Sequence, residues 1–179
     1  MNHSMLRVPG VASFALALLF SAPLSAQETQ LSDPEIASVA VAANQVDIDY
    51  ARLAQNKSKN QDILEFARTM AKDHQGVIDQ AVALVTKLNV TPKDNAVSQK
   101  LKADAEKTRK SLNAKSGKAF DKAYIDNEVA YHQAVVSVVE GTLIPQSQNA
   151  ELKALLQQVL PVLKTHLDHA VMVQGKIGG

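Results

Sequence analysis

Four segments of this chain carry apolar residues at alternating steps of four and three, a repeat that admits helices burying one face and excludes strands, whose faces alternate every second residue. The seams read Ile36, Ala40, Ala43, Asp47, Tyr50 and Ala54, then Ile63, Ala67, Met70, His74, Val77, Ala81, Leu84 and Leu88. Another runs through Leu152, Leu156, Val159, Leu163, His166, Ala170 and Val173. The segment from about Lys118 presents two adjacent stripes, Phe120, Tyr124, Tyr131 and Val138 beside Ile125, Glu128, His132, Val135 and Val139. With 7 Gly, 6 Pro and no Trp in 179 residues, the chain lacks the turns and strand formers of a sandwich or barrel.

Punctuation between the seams fixes the helix ends. Ser32 and Glu35 have capping-box spacing with Pro34 in the first turn, and Asn56 to Asn60 is a polar stop. Asn60 opens the second helix and Asn89-Val90-Thr91-Pro92 closes it. The third is expected to stop at Gly141-Thr142-Leu143-Ile144-Pro145. The fourth starts near Asn149, bends at Pro161, where a ring replaces the N–H, and frays from Gly175 onward. Between Pro92 and the third helix lies a polar stretch with a thin stripe of Val97, Leu101, Ala105, Thr108 and Leu112. Over 93–118 it holds eight basic residues against three acidic ones. It reads as a solvated helical crossover, with docking of an acidic protein partner as its other use. The expected architecture is all-α: an up-down four-helix bundle whose long crossover makes the second and third helices parallel, the ferritin-like connectivity.

Residues 1–26 read as a secretory signal, with Arg7, an apolar run from Val11 to Phe20 and a small-residue exit cut after Ala26. The run is too short to span a bilayer as a permanent anchor, and no other segment is long and apolar enough. The rest, 27–179, is one domain with its core over about 33–173. Losing Arg7 leaves 18 basic and 18 acidic side chains (19 minus one, and 18), so no net field attracts nucleic acid. The absence of Cys excludes disulfides, thiolate ligands, cysteine nucleophiles and a lipid-attached N-terminus. The expected location is periplasmic or secreted, soluble after cleavage, with peripheral outer-membrane association as a variant.

Beyond His3 in the leader, all four histidines, His74, His132, His166 and His169, fall on or beside an apolar seam, and so do Asp47 and Glu128. Buried acids cost several kcal/mol unless paired, so each needs a partner or a metal. Reflecting the first hairpin about residue 59 sets Asp47 against Ala71, one turn from His74. Reflecting the second about residue 147 sets Glu128 against His166. Two readings follow. One is a hydrogen-bond network of Asp47–His74 and Glu128–His166 pairs that fixes helix register. The other is a site for one divalent transition-metal ion, with Asp47, His74, Glu128, His132, His166 and His169 as candidate ligands. A di-iron bundle needs two Glu-x-x-His motifs, yet Ala71 and Leu163 stand three before His74 and His166. That gap tilts the sequence toward the network and, within the metal reading, toward a mononuclear His-rich site over an oxidase centre, with His166-x-x-His169 able to chelate from one helix face. A glycine-rich phosphate loop and a nucleophile elbow are both absent, and aromatics are 4% of the chain, so no enzyme class is indicated.

Four short motifs in order, Asp47 with Ala51-Arg52-Leu53-Ala54, Phe66-Ala67-Arg68-Thr69-Met70-Ala71-Lys72-Asp73-His74, Phe120-Asp121-Lys122-Ala123-Tyr124 with His132 eight residues on, and Leu160-Pro161-Val162-Leu163-Lys164-Thr165-His166-Leu167, resemble the bacterial domain-of-unknown-function 4142 family. The resemblance covers about 33–173 and implies an exported ferritin-like bundle in the envelope, with no established activity; members are often labelled outer membrane proteins. Where members often carry Glu, this chain has the shorter Asp47. The sequence therefore leaves two functions standing: a metal-binding bundle, or a non-enzymatic interaction or stress-protective bundle whose buried pairs are structural.

Overall fold

The computed structural model describes residues 30–178, which form helices and no strand. The leader assigned to 1–26 lies outside the described residues. The helices are α1 (Asp33–Lys57), α2 (Gln61–Lys87), α3 (Ala96–Asn113), α4 (Gly117–Val138), a π-helical turn (Val139–Leu143), the short α5 (Ile144–Gln146) and α6 (Ala150–Gly178). None is long and apolar enough to cross a membrane.

Caps sit where side chains can satisfy the first free N–H groups. The Glu35 carboxylate accepts from the Ser32 backbone N–H at 3.0 Å, and Asn60 Oδ1 accepts from Ile63 N–H at 3.3 Å. Asn95 Oδ1 accepts from Val97 and Ser98 N–H at 2.9 and 3.1 Å, while Asn149 Oδ1 accepts from Glu151 and Leu152 N–H at 2.9 and 3.0 Å. Asn89, just past α2, takes a positive φ of 52°, which Asn tolerates at a helix C-terminus.

Contacts at the two ends of the bundle give the direction of each helix. At one end, Asp33 accepts from Gln148 and Asn149 N–H at 2.9 Å, Lys87 pairs with Glu151, and Lys93 N–H donates to the Pro34 carbonyl at 2.9 Å. At the other, Lys176 pairs with Asp62 at 2.6 Å, Lys57 donates to Asn113, and its ammonium lies 5.6 Å above the Phe120 ring. So α1, α3 and α6 run one way and α2 and α4 the other. α3 is the return stroke that makes α2 and α4 parallel. It buries Ser98 and, of its thin stripe, Leu112, and its bases pair largely along the helix, Lys100 and Lys107 with Asp104, Arg109 and Lys110 with Glu106.

Two helix ends differ from the sequence expectation. The third seam ends at Gln146, one residue past the expected stop at 141–145, and changes its helix type before it ends. Pro145 has no N–H to give the Gly141 carbonyl, and the backbone widens instead into a π turn, with Ile144 N–H reaching the Val139 carbonyl, before α5 ends at Gln146. The last helix, α6, does not fray at Gly175. It continues across Pro161 to Gly178, because Val173 is buried, Ile177 packs on the core and Lys176 is held by Asp62.

The core is two apolar clusters. Tyr50, Phe66, Met70, Phe120, Tyr124, Ile125, Ala170 and Val173 fill the end where α2 begins. Ile36, Val39, Val139, Leu143, Leu152, Leu156, Val159 and Leu163 fill the end where α2 finishes. Along each seam the residues between the clusters are polar: Asp47 on α1, His74 on α2, Glu128 and His132 on α4, and His166 on α6. Apolar residues thus flank this layer above and below.

Candidate metal centre

Helical period alone brings these five side chains inward, because each replaces an apolar residue in its own seam. All are buried, with Asp47 and Glu128 fully so. One ring nitrogen from each of His74, His132 and His166 lies within 4.8 Å of the others, and one ligand atom each of Asp47, Glu128 and His132 form a second such group. Asp47 Oδ2 is 3.3 Å from Nε2 of both His74 and His132, and Glu128 Oε2 is 3.7 Å from His132 Nδ1. The imidazole rings crowd together, with centroids 5.7 Å apart for His74–His132, 5.1 Å for His74–His166 and 5.7 Å for His132–His166.

Each imidazole is held from outside by an acceptor. Asn44 donates its Nδ2 to the Ala40 carbonyl at 2.8 Å, so its Oδ1 faces His74 and receives Nδ1–H at 2.7 Å. His132 donates Nδ1–H to the Glu128 carbonyl at 2.9 Å, and His166 donates Nε2–H to Asp73 Oδ2 at 3.1 Å. With those protons placed outside, the opposite nitrogens carry lone pairs: Nε2 of His74 and His132, and Nδ1 of His166. These three atoms are buried without a hydrogen-bond partner among the described residues, as are both carboxylate oxygens of Asp47 and of Glu128. The two Asp47 contacts at 3.3 Å therefore set its carboxyl against two imidazole lone pairs without aligned hydrogen bonds.

Burial sets the protonation of the layer. Desolvation, with a smaller push from the neighbouring imidazoles, lowers His74 to about 3. Desolvation takes His132 to about 4 against the opposing pull of its bond to the Glu128 carbonyl. His166 is lowered by burial too, opposed by Asp73. Desolvation raises Asp47 to about 8, and raises Glu128 far above the carboxylate range with the Asp47 charge adding to it. At pH 7 the histidines are neutral and the acids hold their protons, so the His–Asp contacts are not ion pairs. A layer of neutral imidazole lone pairs and protonated acids is what a cation can displace protons from.

The expected Asp47–His74 contact is present, and the expected Glu128–His166 pair is not. His166 binds Asp73 instead, and Glu128 sits beside His132. The second hairpin is not centred on residue 147: Gln174 bonds Asp126 and Lys164 pairs with Glu140, sums of 300 and 304 that centre it at 150–152. The π turn and α5 carry the α4 line farther than a tight hairpin would, and the register shifts by about two turns. His169, one turn beyond His166, belongs to neither ligand group; its half-buried ring sits edge-on to Phe66 at 5.0 Å. Asn44 and Asp73 are the functional residues that the sequence reading missed. Asn44 stands three before Asp47 on the same helical face and was findable by period. Asp73, next to His74 in a run of charged residues, carried no such signal.

No curated protein and no solved structure matches the chain. A family model does, described as a domain of unknown function, over residues 20–173, a span holding every residue of the layer. The chain belongs to the DUF4142 family.

Proposed function

We propose that this chain is an exported, ferritin-like four-helix bundle that binds one divalent transition-metal ion through His74, His132 and His166, with Asp47 as the fourth ligand and Glu128 as a reserve carboxylate. The observation that carries the reading is the outward hydrogen bond on every imidazole. Metal-ligating histidines donate their second N–H to a carboxylate, a carbonyl or water, which fixes tautomer and ring angle. Here Asn44, the Glu128 carbonyl and Asp73 fill that role for all three rings. A network built only for packing would have paired the inward atoms, because each buried polar atom left alone costs about 1–3 kcal/mol. Three imidazoles with carboxylate suit zinc, iron, manganese, copper or nickel better than the all-oxygen calcium or magnesium sites. Bound there, the ion would offset the carboxylate charge. The helical connectivity supports the ferritin-like assignment, and the 1–26 leader supports export.

The test is metal content of tagless mature protein recovered from the producing cell. Close to one equivalent is expected, falling to background in His74→Ala/His166→Ala protein that keeps its helical spectrum. Negligible metal, together with an unchanged Tm on adding iron, zinc, manganese or copper, refutes the proposal and favours buried pairs kept for packing.

A further inference from the structure

The apolar cluster between the polar layer and the π turn is not filled. A cavity of about 210 Å³ lies there, walled by α1, α2, α4 and α6, with Val97 and Leu101 of α3 at its side. Alanines at facing positions, Ala40, Ala81 and Ala134 among them, leave the space, where larger side chains would have met. Along α2 its lining extends from His74 to Val85, eleven residues on, or about 16 Å of helix, enough to lie alongside an extended chain. Val97 and Val138, 44% and 38% exposed, mark its mouth.

The lining is chemically one-sided. Among the described residues no charged side chain faces the cavity. Its polar members are Asn44, His74, Tyr131 and His132, all at the inner end, and the Tyr131 hydroxyl is already spent on the Ala43 carbonyl at 2.8 Å. Apolar cavities of this kind exclude water, and about 150 Å³ is enough to hold benzene. A charged guest would lose its hydration with nothing to replace it.

We infer that the cavity binds a neutral, unbranched hydrocarbon molecule of medium chain length, tail toward Leu84 and Leu156, with one uncharged polar terminus against His74 and His132. The polar terminus then meets the proposed metal layer, so its placement rests on the metal reading, whereas the seating of the tail does not. The bound molecule is the class of ligand or substrate that the centre would see.

The probe is 1-octanol, with sodium octanoate as the charged counterpart of matched length. Both are titrated calorimetrically into the full mature protein, with and without metal, and Tm is read alongside. Octanol is expected to bind one molecule per chain and raise Tm, with octanoate at least tenfold weaker. Ala81→Phe, which fills the cavity two turns from His74, should weaken octanol at least tenfold while its metal content stays at the wild-type level. Should Ala81→Phe fail to fold, Ala40→Leu fills the same space from α1. His166→Ala, which removes a proposed metal ligand that does not line the cavity, should lose metal yet keep octanol within a few fold. No octanol binding, equal binding of octanoate, or binding untouched by folded Ala81→Phe and Ala40→Leu each overturns the inference. In the wild-type protein, absence of octanol binding with metal present condemns the cavity reading alone, and absence of metal with octanol bound condemns the metal reading alone.

Discussion

The layer makes a quantitative demand on metal affinity between pH 6 and 9. A metal entering it competes with whatever protons the ligands hold. His74 and His132, at about 3 and about 4, are already neutral lone-pair donors across that range and offer no competition. Asp47, raised to about 8 by burial, does. The penalty on the apparent Kd is the factor 1 + 10^(8 − pH), about 100 at pH 6, about 10 at pH 7, about 2 at pH 8 and close to 1 at pH 9. Affinity should thus tighten by between one and two orders of magnitude from pH 6 to 8 and level off above pH 8. If Glu128 also gives up its proton to the ion, the rise is steeper and extends higher. Ordinary histidine ligands on the surface would level off near pH 6.5 instead.

The assay is competition against a chromophoric chelator of known pH dependence at pH 6, 7, 8 and 9. Calorimetry in two buffers of different protonation enthalpy counts the protons released, expected as one to two at pH 7. Asp47→Asn should bind more weakly at pH 9 and show a flatter curve, retaining only what Glu128 supplies. An affinity constant between pH 7 and 8, or no proton release at pH 7, would refute the assignment of Asp47 as a protonated ligand displaced by the metal.

Stability of the metal-free protein should carry the opposite sign. Asp47 holds its proton in the fold up to about pH 8 but loses it near 3.8 when unfolded, so from 6.5 to 8, where unfolded histidines have shed their protons, the fold binds more protons. Urea denaturation should show stability falling by up to about 1.4 kcal/mol per pH unit per acid over that window, a slope that metal loading removes. Asn44→Ala and Asp73→Ala each free one imidazole from its outer acceptor, and each should weaken metal about 10- to 100-fold while leaving the helical spectrum unchanged. An affinity within twofold of wild type would count against the outer hydrogen bonds as a positioning device. Phe66→Ala removes a fully buried ring that touches Tyr124 and His169, with centroids 6.2 and 5.0 Å away, and should cost about 3–5 kcal/mol in chemical denaturation. A cost below 1 kcal/mol would mean that the cluster under the layer is not packed as described.

Period reads direction well and register poorly, and this chain separates the two. Every seam residue from Ile36 to Val173 that turned a polar side chain inward did so because 3.6 residues per turn fixes which face a position takes, whatever the tertiary context. The caps at Asn60 and Asn149 were equally local. What pairs with what across helices depends on how the connection is built, and the Pro145 π turn, which no pattern of apolar residues announces, moved α6 about two turns relative to α4. His166 consequently left Glu128 for Asp73, and His169 fell against Phe66.

That shift also changes the chemistry of the centre. In the register expected from the sequence, two closed acid–imidazole pairs would satisfy each other, and the layer would need nothing further. In the observed register, the acceptors on the outside, Asn44, the Glu128 carbonyl and Asp73, consume the imidazole protons. The nitrogens left inside cannot donate to Asp47, and Asp47 can satisfy at most one of them with its own single proton. A buried group of acceptors short of protons is stabilised by a positive charge at its middle and by little else. The tautomers fixed from outside, more than the number of histidines, are therefore the physical reason to expect a cation in this bundle.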